Sequence, residues 1–270
     1  MSARSPQLAP KADPLDVAAL GRAGFATVVH VAELDSTMGP ARGLADDAHA
    51  RLPAVVVADR QRLGQGRRGA GWWQAEGSLA ASLVIAAADP RPTWSLACGV
   101  ALAEAIASLE PRVQPLVRWP NDLEVAGRKL AGILLETCRD RVIVGIGVNT
   151  AGAAAHAPPA IGGRVVTLPD LVGRTLDRTR LLVAFLPRFL ELIAALAGAP
   201  DELARRYRPL CALDGTPVTV YAGDVIHRGT CRGIAPTGAL VLDTASGRVL
   251  VASGSLTAPA DVWPGDRPAT

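Results

Sequence analysis

Between Ala54 and Trp73 the chain passes from five small or β-branched residues, Ala54 to Ala58, directly into a segment carrying four arginines and four glycines. The apolar five read as a buried strand. The arginines (Arg60, Arg62, Arg67, Arg68) and glycines (Gly64, Gly66, Gly69, Gly71) then make a loop. Glycine lets backbone N–H groups approach an anion closely, and arginine adds forked, permanently charged donors. A fold built around this stretch has a central strand that delivers a cationic loop over an anionic ligand. Arginines alone read as a solvated face; arginines interleaved with glycine straight after a buried strand do not. Gly64, Gly66 and Gly69 also fit G-x-G-x-x-G, with Asp89 lying 20 residues past Gly69. That dinucleotide fingerprint should follow its strand at once and open a helix. Here Asp59 to Leu63 intervene, and Ala70-Gly71-Trp72-Trp73 is a poor first helical turn.

With 270 residues, 49 % of them apolar, the chain can bury a core for one large domain and a small one. A net charge of +3 is too mild to imply nucleic acid. Cys98, Cys138, Cys211 and Cys231 form no C-x-x-C and read as reduced thiols. The start, MSARSPQLAPKADP, lacks the apolar core of a signal peptide. No run reaches the ~18 apolar residues of a membrane span, since Pro187, Arg188 and Glu191 interrupt the best candidate. There is no room before the first strand for a helix-turn-helix unit. A soluble, cytoplasmic protein with neither a DNA nor a membrane partner is expected.

Residues 1 to about 13 are expected to be disordered, followed by a short helix from Asp16 to Ala23 and a strand from Thr27 to Ala32. Asp35-Ser36-Thr37 then offers an N-cap. Leu79 to Ala87 reads as a central strand. Thr93 is expected to cap a helix whose core face runs through Trp94, Ala97, Cys98, Ala101, Leu102, Ala105, Ile106 and Leu109. In VRWPNDLEVAGRKLAGILLE (117–136), Pro120 extends the path of Trp119 and Asn121-Asp122 turns the chain. Two strands follow, joined through Ala126-Gly127-Arg128, so that Lys129 stands near the mouth of the second. Read by itself, such a lysine is a solvated edge charge. Arg141 to Gly147 is a further strand, Ala151 to Pro159 a surface loop, Leu168 to Leu171 helical, and Thr179 to Leu196 a helix with Pro187 as a kink or an offset start. Asp201 to Arg208 continues as a shorter helix. Beyond about residue 211, short strand-like runs punctuated by Gly223, Gly238 and Gly247 read as a small β-barrel. The tail from Ala258 is expected to be disordered.

Four signals in order give the chain a family resemblance. They are Asp35-Ser36-Thr37, the loop Gln61 to Gly69, Trp119-Pro120-Asn121-Asp122 with Gly127-Arg128-Lys129-Leu130-Ala131-Gly132-Ile133-Leu134, and Gly145-Ile146-Gly147-Val148-Asn149. From about Leu34 to Leu256 the chain resembles a biotin–protein ligase of the short form without an N-terminal DNA-binding domain. The resemblance implies an α+β fold, a mixed or antiparallel sheet backed by helices of the class II synthetase-like kind, with a C-terminal SH3-like β-barrel. The implied division is a short N-terminal segment (1–24), a biotin/ATP-binding catalytic domain (25–209), the barrel (210–258) and a tail (259–270).

It also implies an activity. Biotin's carboxylate attacks the α-phosphate of ATP, pyrophosphate leaves, and a lysine of a biotin carboxyl carrier domain captures the adenylate. Ser36, Thr37, Met38, Gln61, Gln65, Gly66, Arg67, Lys129 and Gly132 would contact biotin. Arg67 and Lys129 would act on the reacting carboxylate and phosphate. Arg67, Arg68, Trp72, Asn121, Asp122 and Asn149 would bind ATP, with Trp72 on the adenine and the last three serving the nucleotide and its Mg²⁺. No His or Cys metal spacing is present. The protein would act as a monomer or homodimer. Four positions depart from the family pattern: Met38 for asparagine, Gln65 and Ala70 for arginines, and Arg118 for lysine. Arg60 and Arg62 are the residues available to replace the lost loop charge. These departures motivate an alternative, a weakened or non-catalytic paralogue that binds biotin or the carrier only. A lipoate or octanoate ligase is the other alternative.

Overall fold

The computed structural model describes residues 13–87 and 91–256. Apart from Asp13, the expected disordered N-terminus lies outside these residues, as do Asp89 and the tail from Ala258.

A seven-stranded sheet contains β1 (Thr27–Leu34), β2 (Ala54–Gln61), β3 (Leu79–Ala86), β4 (Leu116–Arg118), β5 (Asp122–Val125), β6 (Arg128–Cys138) and β7 (Arg141–Val148). Its order is β1-β2-β3-β7-β6-β5-β4. Only β1 and β2 pair in parallel; each other neighbouring pair is antiparallel. The antiparallel β2–β3 pair removes the dinucleotide-fold reading, which needs a helical crossover to a parallel strand after the glycines.

The helices are α1 (Val17–Arg22), α2 (Met38–Asp46), α3 (Thr93–Leu109), α4 (Leu168–Val172), α5 (Arg178–Ala195) and α6 (Glu202–Tyr207). Side chains alternate across a strand, so the sheet has two distinct faces. One face carries Val55, Val57, Leu79, Leu83, Val144, Ile146 and their neighbours against α3 and α5 in the main core. Helix α3 is buried nearly all round, because it lies between this face and α5 and α6. Thr93 is its first residue rather than its cap; Pro92 takes the cap position, where its missing N–H loses nothing. Helix α5 runs through Pro187 instead of starting near it. Burial of its Phe185–Phe189 stack, with ring centroids 5.4 Å apart, holds it to the core.

The other face is covered by α2 at one end only, where Met38, Ala41 and Ala45 meet Ala54, Val56, Val84 and Ile143. Thr37 precedes this helix as expected, but its side chain makes no cap. The rest of that face is open.

A second sheet follows: β8 (Pro217–Ala222), β9 (Val225–Ile234), β10 (Leu240–Thr244) and β11 (Gly247–Val251), antiparallel throughout and ordered β11-β10-β9-β8. A bridge between Tyr221 and Ser255 brings the chain beyond β11 back to β8. Trp119, buried at the end of β4, donates its indole N–H to the Gly238 carbonyl at 3.2 Å and pins the two sheets together.

Candidate active site

The open part of the second sheet face exists because its strands carry glycine there. Gly132 of β6 pairs with Gly147 of β7, and Gly145 stands opposite Leu134. No side chain rises from these positions, and other groups lie flat on the backbone. A Cβ on Gly147 would fall 2.3 Å from the Trp72 ring, and one on Gly145 would fall 2.8 Å from the Met38 sulfur. The resulting cavity has a volume of about 420 Å³. Every site residue named from the sequence lines it.

At the α2 end sits a polar clip. Gln61 Oε1 accepts from the Thr37 backbone N–H at 2.8 Å and from the Thr37 hydroxyl at 3.1 Å. Beneath it, the buried Ser82 hydroxyl lies 2.7 Å from Thr37 Oγ1 and 3.3 Å from Met38 Sδ. The Gln61 backbone N–H is taken by Gln74, whose amide in turn donates to the Asp59 and Ser78 carbonyls. Ser36 lines the same end.

The opposite end is charged, and a β-bulge arranges it. Leu123 pairs with Ala131, but Glu124 pairs with Lys129, so Leu130 is an extra residue in β6. Leu130 and Ala131 both face the main core. Lys129 is thereby turned to the cavity face beside Gly132, where a regular ladder would have put it on the other side. Its ammonium is 2.8 Å from Asp122 Oδ1 and 5.4 Å from the Trp72 ring centroid. The Asp122 oxygen is buried and close enough for an ion pair, though not aligned for a hydrogen bond. Lys129 is therefore no solvated edge charge.

The arginine loop folds over this end. Gly66 N–H donates to the Ala70 carbonyl, Trp72 N–H to the Gly64 carbonyl, and Gln65 bridges Gly71. A tight turn at Arg67–Gly69 sets Arg68 at φ 54° and Gly69 at φ 77°. Arg67 Nη1 reaches the Asn121 side-chain oxygen at 3.5 Å and the Gly254 carbonyl at 3.4 Å. Burial and the neighbouring Arg68 draw the Arg67 guanidinium below its usual range, with Asp122 opposing them. Arg60 and Arg62 do not replace the lost charge. They turn to β1 and the residue just after it instead, Arg60 to Glu33 and Arg62 to Asp35 and Glu33.

Asn121 serves the frame as well as the cavity, donating from Nδ2 to the Ile133 carbonyl at 2.8 Å. Asn149 donates to the Val166 carbonyl, and its Oδ1 is buried without a hydrogen-bond partner. The indole N–H of Trp72 is likewise buried and unpartnered.

Sequence reading missed several lining residues. Glu124 stands 3.4 Å from Arg118, its carboxyl pushed up by burial while Arg118 opposes the shift. Its place two residues from Asp122 on one strand put it on the same face, which was the available signal. Arg164 and the Gly254–Leu256 segment come from distant parts of the chain, and nothing local marked them. Among the described residues, no group of three or more His, Cys, Asp or Glu is placed to hold a metal. No helix among them is long and apolar enough to cross a membrane.

Residues 35–149 match the profile of the biotin/lipoate A/B protein ligase family, and residues 215–255 that of the biotin protein ligase C-terminal domain. A biotin–[acetyl-CoA-carboxylase] ligase from Mycobacterium tuberculosis is 32 % identical over 75 % of this chain and 77 % of its own. The chain belongs to the biotin/lipoate A/B protein ligase family. The ligase of the same name from Paracoccus denitrificans is also 32 % identical, over 82 % of this chain and 96 % of its own. Among solved structures, the biotin protein ligase from Aquifex aeolicus in complex with biotin and ATP superposes with a TM-score of 0.76 at 27 % identity, covering 85 % of this chain and 97 % of that one. In this family member the family's two matched regions correspond to the sheet that carries the cavity and to the C-terminal antiparallel sheet.

Proposed function

We propose that this protein is an ATP-dependent biotin–protein ligase, acting in the cytoplasm as a catalytic unit (25–209) with a C-terminal unit (210–258). It joins biotin to AMP and passes the acyl group to a lysine of a biotin carboxyl carrier domain. One observation carries the reading: a donor–acceptor clip and a cationic end face each other across a single glycine-floored cavity. A ligand with a polar ring, an apolar arm and a terminal carboxylate fits that polarity. Its ring meets Ser36, Thr37 and Gln61, and Met38 with Gly132 flanks the body. The carboxylate meets Arg67 and Lys129, with Gln65 and Gly66 on the loop above.

Attack of that carboxylate on the α-phosphate crowds negative charge onto the phosphate oxygens. Lys129 and Arg67 hold this charge as it builds, at positions already set by the bulge and the loop. Asp122 keeps the Lys129 ammonium on station. Trp72 packs on the adenine, while Arg68, Asn121 and Asn149 hold the rest of the nucleotide. The closed loop keeps water from the anhydride until the carrier lysine arrives. Mg²⁺ would come with the nucleotide, and the Asp122 carboxylate and the unpartnered buried oxygen of Asn149 would be the residues to hold it. When bound it neutralises phosphate charge.

Biotin-dependent exchange of labelled pyrophosphate into ATP tests the reading, with lipoate and octanoate as parallel acids. Exchange with biotin is expected. Exchange with another acid would make it the sister ligase, and none from folded protein would make it a binding paralogue.

A further inference from the structure

Three backbone groups hold the side-chain amide of Gln74. Its Oε1 accepts from the Gln61 N–H at 2.9 Å, and its Nε2 donates to the Ser78 carbonyl at 2.9 Å and the Asp59 carbonyl at 3.2 Å. A backbone N–H only donates and a carbonyl only accepts, so these partners fix which way the amide faces. The β2–β3 ladder ends at Ala58 and Ala80, while β2 itself runs on to Gln61. Past that end the Gln74 side chain takes up the Asp59 carbonyl and the Gln61 N–H, as the peptide group of a neighbouring strand would. Its third partner is a fixed point: Ser78 is 1 % exposed, and its hydroxyl bonds to both the carbonyl and the N–H of Ala151.

The twelve residues between Gln61 and Gln74 are the arginine loop. Gly64 is bonded to Trp72 and Gly66 to Ala70, so the loop is a narrow flap, and the Gln61–Gln74 contact is the next tie toward its base. On the outgoing side the Arg62 and Leu63 N–H groups reach the Leu34 and Asp35 carbonyls. On the returning side the tie is the Gln74 side chain. We infer that Gln74 is a positioning residue: it clamps the base of the arginine loop to the sheet and so sets where Arg67 and Trp72 stand over the cavity. Gln74 does not line the cavity, so it acts only through the loop. Four glycines leave the loop little stiffness of its own, and the contacts of Arg67 at its tip are long, 3.4 and 3.5 Å. Placement therefore falls to the base. The clamp is a matter of backbone hydrogen bonds; its catalytic consequence rests on the ligase reading.

Limited trypsin digestion of the full chain reads the clamp directly, because the loop carries its own cleavage sites at Arg67 and Arg68. Gln74→Met, close in size but without an amide, should quicken cutting at these two on the order of tenfold, the effect of losing hydrogen bonds that hold one local segment closed. Cutting at arginines outside the loop should keep its rate. Gln74→Glu keeps an acceptor for Gln61 but turns an oxygen toward two carbonyls. It should behave like Gln74→Met, and it serves if the methionine variant does not fold. With biotin, ATP and a carrier domain, either variant should lose several times more biotinyl-adenylate to water for each biotin transferred. Faster cutting at all arginines alike, unchanged cutting in the loop, or an unchanged ratio of lost to transferred adenylate would overturn the assignment. No adenylate from the unaltered protein would instead fail the ligase reading, and the digestion alone would then decide for or against the clamp.

Discussion

Lys129 stands directly across the β5–β6 ladder from Glu124 because Leu130, the residue after it, is bulged toward the core. The ladder and the core contacts of Leu130 hold the bulge, and the lysine side chain, about one-third exposed (35 %), contributes little to either. Replacing Lys129 by Ala should therefore lower adenylation on the order of 10²–10³-fold, as for loss of one preorganised charge donor, while thermal unfolding barely moves. Pyrophosphate exchange beside a melting curve reads both. Retained turnover would refute the role given to Lys129.

Trp72 and Gly147 make a second test. A methyl on Gly147 would overlap the indole at 2.3–2.6 Å, and the loop that carries Trp72 gives way more readily than two paired strands. Gly147→Ala should lift the indole from the cavity floor and weaken nucleotide binding by about as much as Trp72→Ala, on the order of tenfold for a lost stack of ~1.5 kcal/mol. Unchanged ATP affinity in Gly147→Ala would show that the ring does not need this floor.

Restoring the family's residues at Met38 and Gln65 should now have opposite effects. Gln65 is exposed on the loop, so Gln65→Arg adds charge at the cavity and should tighten binding of the anionic ligand. Met38 is 3 % exposed and packs between α2 and the sheet. An amide placed there costs about 1–3 kcal/mol unless it finds partners. Met38→Asn should lower the melting temperature by several degrees without tightening biotin. Tighter binding at full stability would mean that Ser82 accepts the new amide.

A carboxylate far from the cavity gives a pH signature. Arg112 and Arg174 clasp Glu110, holding its carboxyl at about 2 against an ordinary 4.5. The folded state thus binds this proton less readily than the unfolded one, so the contribution is complete above about 4.5 and fades as pH falls toward 2. The melting-temperature gap between wild type and Glu110→Gln should be largest near neutrality and close over that window. A gap independent of pH would show that the clasp acts by packing alone.

Much of this was legible in the chain itself. The buried strand before the arginine loop, the hairpin that places Lys129 near the start of its second strand and the short strands after residue 211 all follow from local pattern and turn chemistry, and each has its counterpart in the structure. Local pattern failed where a contact from elsewhere outranked it. Thr37 looked like an ordinary helix cap, yet its hydroxyl is claimed by Gln61 and Ser82, 24 and 45 residues away. Arg60 and Arg62 looked like part of the loop's charge, but β1, paired in parallel beside them, supplies Glu33, and the residue after it supplies Asp35. The bulge at Leu130 left no mark, because an extra residue in a strand is defined only against its partner.

The contact between Arg67 and the Gly254 carbonyl also bears on when the protein becomes competent during its synthesis. Gly254 to Leu256 wall the cavity, and they follow every strand of both sheets in chain order. A nascent chain can form the seven-stranded sheet and its clip while this wall is still inside the ribosome. It then lacks the wall against which Arg67 rests the loop. A copy made only as far as the seven-stranded sheet carries the clip and the arginine loop but not the wall that Arg67 reaches.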